Sequence, residues 1–251
     1  MNNFLHFVSV NIERDKHLDK ILPFLKNENA DVVCLQEVFE RDIPRFEKEL
    51  GMSAHFSVMM RMPYPAKNPK EILSEGVAIL TKLPVVKIIP HYYKNSPLHL
   101  PVYKKYIEGE EDSMAAVLLC VVVSVRGEDF TLATTHFTWT PHGEADDRQR
   151  RDLKELLKIT ESFKNGIVFA GDFNAPRGRE IFDELAKKYK DNIPPEYETS
   201  LDVTLHRAPD EVKHLMVDGL FSTPEYSVNN AKLHFGVSDH AAIVANIEKI
   251  T

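Results

Sequence analysis

The chain has 251 residues, of which 43% are hydrophobic and 27% charged, and carries a formal net charge of -7 at pH 7. This length accommodates one large domain with a sizeable core, expected to span residues 1–251, and the composition gives no sign of disorder. A net acidic chain is not one that coats nucleic acid through many phosphate-neutralising Lys and Arg side chains, but recognition of a single phosphate stays open, as does a carboxylate cluster offset by a divalent cation.

Cys34 and Cys120 lie inside apolar runs, where a free thiol behaves as a small hydrophobe, so no disulfide is expected. No apolar segment approaches the ~18 residues of a membrane span, and no signal-like start is visible. A cytoplasmic monomer without membrane insertion is the expectation.

Phe4 to Val10 is a β-rich run ending at Asn11, Asp15 to Asn27 carries apolar residues at helical spacing, and Asp31 to Leu35 is the next strand, ending at Gln36-Glu37. If this unit is a right-handed parallel crossover, Asn11 and Gln36-Glu37 are neighbours. A helix over Asp42 to Leu50, stopped by Gly51, precedes strands at His55 to Met60 and Gly76 to Leu80. Residues 90 to 113 read as one long irregular stretch in which Tyr92, Tyr93, Tyr103 and Tyr106 alternate with Lys94, Lys104 and Lys105.

Ala115 to Val125 and Phe130 to Thr135 form a hairpin that delivers His136 and Trp139 to a strand end. Ala145 to Phe163 is an amphipathic helix, Ile167 to Ala170 a buried strand, and Glu180 to Tyr189 a further helix. Leu215 to Phe221 and Ala241 to Ile247 close the fold as strands, with Tyr226 to Leu233 a candidate between them.

The polar clusters all fall at or beside the ends of apolar runs, where open α/β sheets place their chemistry. They are Ser9-Val10-Asn11, Leu35-Gln36-Glu37-Val38, Thr135-His136, Gly171-Asp172-Phe173-Asn174, Val217-Asp218 and Ser238-Asp239-His240. Convergence on Asp172 is expected. In this order, from Val8 to Ile247, the motifs resemble the endonuclease/exonuclease/phosphatase superfamily of deoxyribonuclease I-like enzymes. The resemblance implies an α/β (α+β) fold, a four-layer sandwich of two facing mixed β-sheets flanked by helices. It also implies metal-dependent hydrolysis of phosphoester bonds with Mg²⁺ or Mn²⁺.

Residue by residue, the resemblance makes Glu37 the principal metal ligand, places Asp239 at or near the metal, and has Asn11 hold metal or phosphate. Asp172 orients and deprotonates the attacking water, and Asn174 grips water or phosphate. His240 contacts the phosphoryl oxygen with help from Asp218, and His136 contacts phosphate or protonates the leaving oxygen. Taken singly, each has a plainer explanation: a helix cap for Glu37, a turn for Asn11, an Asx-turn for Asp172-x-Asn174, and a satisfied strand-end histidine for His136 or His240.

Arg177 and Arg179 either reach a substrate phosphate or line a solvated turn, and Trp139 and Tyr103 are further candidate substrate contacts. Arg148, Arg150 and Arg151 read as the exposed face of their helix. Two positions depart from the family pattern: Gly219 follows Asp218 where relatives carry a larger residue, and Met114 stands where many have Arg.

Specificity in the superfamily lies in loops, here residues 61–75, 90–113, 138–146 and 190–212. Interleaved Tyr and Lys suit stacking on a single strand or frayed end of DNA or RNA, so a phosphodiesterase or nuclease acting at ends or lesions is the first reading. The alternative is hydrolysis of a small or lipid-derived phosphoester. A non-catalytic binding module is disfavoured by the full set of catalytic-type residues.

Overall fold

The computed structural model describes residues 4–63, 71–103, 113–207 and 214–250. β1 (Leu5–Asn11) runs through α1 (Leu18–Glu28) into β2 (Val32–Phe39), and the two strands are parallel with Asn11 opposite Gln36. A parallel pair requires such a crossover, which brings both polar strand ends to one edge. The remaining elements of the first half are α2 (Ile43–Leu50), β3 (Ser53–Pro63), β4 (Ile72–Thr81), β5 (Val85–Lys94) and β6 (Ala116–Val125). The second half adds β7 (Glu128–His136), α3 (Asp147–Thr160), β8 (Val168–Asp172), α4 (Glu180–Ala186), β9 (Lys190–Asp191), β10 (Asp218–Ser222), β11 (Tyr226–His234) and β12 (Ala242–Lys249).

These strands form two mixed sheets, ordered β11-β12-β1-β2-β4-β3 and β5-β6-β7-β8-β10-β9. Successive strand residues face opposite sides, so each strand contributes to two cores. Leu5, Phe7, Cys34, Leu132, Ala170 and Leu220 meet between the sheets. Val8, Val10, Val33 and Leu35 pack outward against Leu22 and Leu25 of α1 and Phe46 of α2. On the far side Phe169, Ala133 and Phe221 pack against Leu153 and Leu156 of α3 and Ile181 and Phe182 of α4. The result is the four-layer sandwich, helices outside and two sheets within.

The same alternation explains where the polar residues go. On the inner face, Leu5 and Phe7 of β1 are followed by Ser9 and Asn11, and Leu132 of β7 by Thr134 and His136. Ala170 of β8 precedes Asp172, and Leu220 of β10 follows Asp218. A buried Leu or Phe contributes about 1.5–3 kcal/mol. One end of the inter-sheet seam forgoes that gain and holds polar groups instead.

One hydrogen bond pins the two sheets there, and one close approach tightens the second sheet. Gln36 Nε2 donates to Ser9 Oγ at 3.1 Å and across the seam to Thr134 Oγ1 at 2.8 Å. Gly171 lets β7 and β8 close up: a Cβ at this position would lie 1.9 Å from the Thr135 carbonyl oxygen, and its φ is +150°.

The stretch from residue 90 is not irregular as expected, since β5 runs to Lys94 as an edge strand. Its partly exposed alternation and Pro90 conceal it in the sequence, and an edge is where a sheet accepts proline. Tyr92 and Tyr93 are structural: the first donates to the Val58 carbonyl at 2.8 Å, and the hydroxyl of the second lies 2.8 Å from Thr135 Oγ1. Lys104, Lys105 and Tyr106 lie outside the described residues, as do parts of the 61–75 and 190–212 loops. Cys34 and Cys120 are buried and free, as expected, and burial pushes both thiols up. Among the described residues no helix is long and apolar enough to cross a membrane.

Candidate active site

Asp172 ends β8 directly opposite His136 of β7 and Asp218 of β10 in the sheet register. Its Oδ1 accepts the Asn174 backbone N–H at 2.8 Å, and its Oδ2 accepts from Asn11 Nδ2 at 3.1 Å. Two imidazoles face the same Oδ2, His136 Nε2 at 3.4 Å and His240 Nε2 at 3.8 Å. Burial opposes ionisation of this carboxyl, but His240, His136 and the Asn174 amide outweigh it and hold Asp172 well below the usual carboxylate range.

Asn11 reaches this point from the other sheet. Its Nδ2 also donates to Glu37 Oε1 at 3.3 Å, while its Oδ1 accepts the Glu13 backbone N–H at 3.1 Å. The carbonyl oxygen is therefore engaged, and what Asn11 turns toward the site is its NH₂. In this arrangement the Asn11 amide donates to both carboxylates, a polarity that suits the phosphate side of its expected role.

Glu37 sits in a β-bulge of β2 against β4 with φ +52°, a left-handed conformation uncommon outside glycine. The bulge re-aims its carboxylate along the seam. Burial works against its charge; Arg14, His136 and Asn11 overturn that and lower its pKa. Arg14 Nη2 lies 3.4 Å from Glu37 Oε2, and the same guanidinium pairs with buried Glu75. Burial and the nearby Glu37 push Glu75 up to about 7 despite Arg14.

His240 Nδ1 is 2.8 Å from Asp218 Oδ2, and Asp218 in turn is anchored by its backbone N–H to Ser200 Oγ at 3.0 Å. Burial would lower His240, but the carboxylates of Asp218 and Asp172 raise it well above 6.5. His136 is raised likewise by Asp172 and Glu37 against its own burial. Both imidazoles thus favour the protonated form. The Gly219 departure has a packing cause: a Cβ there would lie 2.7 Å from the Phe221 ring and 2.9 Å from that of Phe173. The neighbouring aromatic rings occupy the space a larger residue would take, and Asp218 stays in place.

Among the described residues three sets of acidic and histidine groups could hold a metal, one of them Asp172, Asp218 and His240. Ligand atoms of Glu13, His17 and Asp239 lie within 4.8 Å of one another, as do those of His206, Asp239 and His240. Their carboxylate oxygens suit a hard divalent cation, while Glu37, engaged by Arg14 and Asn11, belongs to none of these clusters. Glu13 escaped the sequence reading, although its position two residues beyond Asn11 was a usable signal.

The outlying candidates divide. Arg177 points into the fold: its Nη2 donates to the Ile193 carbonyl at 3.0 Å and pairs with Asp191 at 2.7 Å, and its Nη1 donates to the Tyr197 carbonyl at 3.2 Å. Its Nη groups are taken up by carbonyls and Asp191, so here it straps the loop, while its buried Nε has no hydrogen-bond partner among the described residues. Arg179 donates to the His142 carbonyl at 2.6 Å and pairs with Glu144 at 2.8 Å, away from Asp172 in its contacts. Trp139 and Tyr103 do line a cavity of about 200 Å³ beside Glu37, His136 and Asn174. Arg148, expected on an exposed face, lines it too, its side chain only 12% exposed and paired with Asp146. Met114 and Lys94 share that wall. A second cavity of about 260 Å³ adjoins His240 and shares Trp139 and Asn174 with the first. Arg150, by contrast, is on the outside, paired with Glu180 and Asp147.

The model of the Endonuclease/Exonuclease/phosphatase family matches residues 8–240, a span that holds nearly all of the site. The chain belongs to the endonuclease/exonuclease/phosphatase family. Members of this family are phosphoester hydrolases, and the chain is such an enzyme. No curated protein matches it in sequence.

Solved structures share the family fold at low identity. An endonuclease/exonuclease/phosphatase from Beutenbergia cavernae is 18% identical with a TM-score of 0.72, covering 99% of this chain and 72% of that one. The human nocturnin catalytic domain with bound sulfate is 17% identical, TM-score 0.65, over 100% and 96% of the two chains. A mannosyl-6-phosphatase of Bacteroides thetaiotaomicron is 12% identical, TM-score 0.64, over 97% and 99%.

Proposed function

We propose that this family member is a Mg²⁺- or Mn²⁺-dependent phosphodiesterase acting on small or terminal phosphodiesters, the end of a nucleic acid strand among them. The observation that carries the reading is the setting of Asp172, whose Oδ2 is faced by Asn11, His136 and His240 at 3.1, 3.4 and 3.8 Å. Glu37, Asp239 and Glu13 would hold the divalent ion. Once bound, the ion would neutralise phosphate charge and favour ionisation of water.

The chain's own residues supply the rest. Asp172, ionised and fixed by the Asn174 amide, orients the attacking water and accepts its proton. A carboxylate held this low is a weak base between two imidazolium ions. A bound phosphate draws the charge of His136 and His240 to its own oxygens, which weakens their hold on Asp172 and raises its basicity. His240, with Asp218 behind it, and the Asn11 NH₂ then stabilise the phosphoryl oxygens, while His136 is placed to protonate the leaving oxygen.

The two cavities that share Asn174 and Trp139 support a diester, since each offers room for one substituent of the phosphate. Their size, about 200 and 260 Å³, favours one ring-sized group apiece over an extended duplex. That same size supports a second reading, a small-molecule phosphoester, the class to which the mannosyl-6-phosphatase's substrate belongs by its name.

A substrate panel tests these readings, with Mg²⁺ or Mn²⁺ added and Asp172→Asn protein as contamination control. It contains single- and double-stranded DNA, abasic DNA, a 5′-tyrosyl end, RNA, sphingomyelin, inositol phosphates and sugar phosphates. Metal-dependent turnover of strand ends supports the first reading, and turnover confined to phosphomonoesters of small molecules replaces it with the second. Full activity in excess chelator would refute metal dependence.

A further inference from the structure

The wall of the cavity beside His136 is dominated by basic side chains, in an acidic chain. Among the described residues Lys94, Arg148 and Arg14 line it with one carboxylate, Glu37, while Asp152, Asp146 and Glu75 pair with these cations. Lys94 ends β5 and Arg148 lies in the first turn of α3, so two separate elements deliver charge to one small space. Lys94 is only 8% exposed, a burial lysines seldom accept. Its Nζ is 4.0 Å from Asp152 Oδ2, an oxygen that also accepts from Thr138 Oγ1 at 2.6 Å. Arg148 forks onto Asp146 Oδ2 at 2.9 and 2.7 Å, which fixes its guanidinium at the rim.

The other walls are soft and apolar. Met59, Met60, Met62 and Met114 face Tyr103 and Trp139, surfaces suited to the faces of a flat ring. A cavity of 150 Å³ is known to take benzene, so about 200 Å³ admits one substituted ring and little more. The second cavity has Leu201, Leu215, Val217, Pro141, His206 and His240 in its lining, and among the described residues no Lys or Arg. The first side therefore carries Lys and Arg side chains in addition to its histidine, and the second, among the described residues, has histidines alone as basic groups.

We propose that the cavity beside His136 receives an arm of the substrate made of a single ring bearing a second anionic group, which Lys94 and Arg148 bind while the reacting phosphate lies at His136 and Asn174. This rests on the phosphodiesterase reading and narrows it to a substrate class. Two sources share the chemistry, a nucleotide carrying a further phosphate and a small aryl ester carrying a carboxylate. The neutral arm of either occupies the cavity beside His240.

Four diesters test it with Mg²⁺ or Mn²⁺, with all products separated by chromatography so that departure of either arm, the one beside His136 or 4-nitrophenolate, is read. One pair is thymidine 5′-(4-nitrophenyl phosphate) with and without a 3′-phosphate; the other is phenyl 4-nitrophenyl phosphate with and without a carboxylate on the phenyl ring. In at least one pair the charged member should have a kcat/KM at least about tenfold higher, through KM, and Arg148→Met and Lys94→Met should bring the ratio toward one. Preference in the thymidine pair alone names the nucleotide source, and in the aryl pair alone the small ester. Equal kcat/KM within both pairs, or variants that slow both members equally while remaining folded, overturns the proposal.

Turnover of none of the four counts against the phosphodiesterase reading instead. In that event Trp139, the only tryptophan in the chain, still reports on the cavity. Phenyl phosphate bearing a carboxylate should then change its fluorescence at a concentration at least about tenfold below plain phenyl phosphate, and identical titrations overturn the subsite.

Discussion

His240 Nδ1 lies 2.8 Å from Asp218 Oδ2, with both side chains buried at the end of the inter-sheet seam. Asp218 leaves the imidazole one free direction, its Nε2 toward Asp172, and keeps it charged. A histidine whose folded pKa is raised above 6.5 adds stability that is complete below about pH 6.5 and disappears as pH rises through the raised value. Asp218→Asn should lower the pH at which His240 gives up its proton by about one unit or more. Imidazole NMR on protein kept in chelator checks this, and denaturation midpoints should show the alkaline loss of stability beginning earlier in the variant.

Arg177→Met separates a structural role from a substrate contact. Its guanidinium holds the carbonyls of Ile193 and Tyr197 and the Asp191 carboxylate. Removing it should lower stability by about 1–3 kcal/mol, because those partners become unsatisfied. KM should change less than twofold on the same protein. A large rise in KM at unchanged stability would make Arg177 a phosphate ligand after all.

Gly171→Ala should be severely destabilising. The added methyl would meet the Thr135 carbonyl oxygen at 1.9 Å, between the strands that carry His136 and Asp172. A loss of about 3 kcal/mol or more is expected, or failure to accumulate as soluble protein. Thermal melts of the purified variant would decide it; a melting point near wild type would mean that β7 and β8 can separate without cost.

Much of this was legible in the chain because strand periodicity fixes which face a residue takes. Asn11, Asp172 and His136 each continue an inner-face series of apolar residues, so their convergence followed from the run that precedes them. What was not legible depended on partners far along the chain. The Arg177 side chain turns inward because Asp191 and the carbonyls of Ile193, Pro194 and Tyr197 wait there, and nothing near Asn174 announces them. Arg148 lies on a helix with a polar outer face, yet its place in the first turn points it across the cavity rim. The orientation of Asn11 was likewise set by one backbone amide, that of Glu13. β5 was hidden by an edge position that needs neither full burial nor the absence of proline.

The account rests on Asp172 as the group that holds and deprotonates the nucleophile, and single-turnover kinetics of Asp172→Asn tests it most directly. The substitution keeps the shape and removes the charge. With saturating Mg²⁺ and a chromogenic diester, the rate should fall by about 10³-fold, within the range expected for loss of a general base, while Mn²⁺ affinity measured by titration changes little. A variant that hydrolyses the diester within tenfold of wild type would contradict the account and move the chemistry away from Asp172.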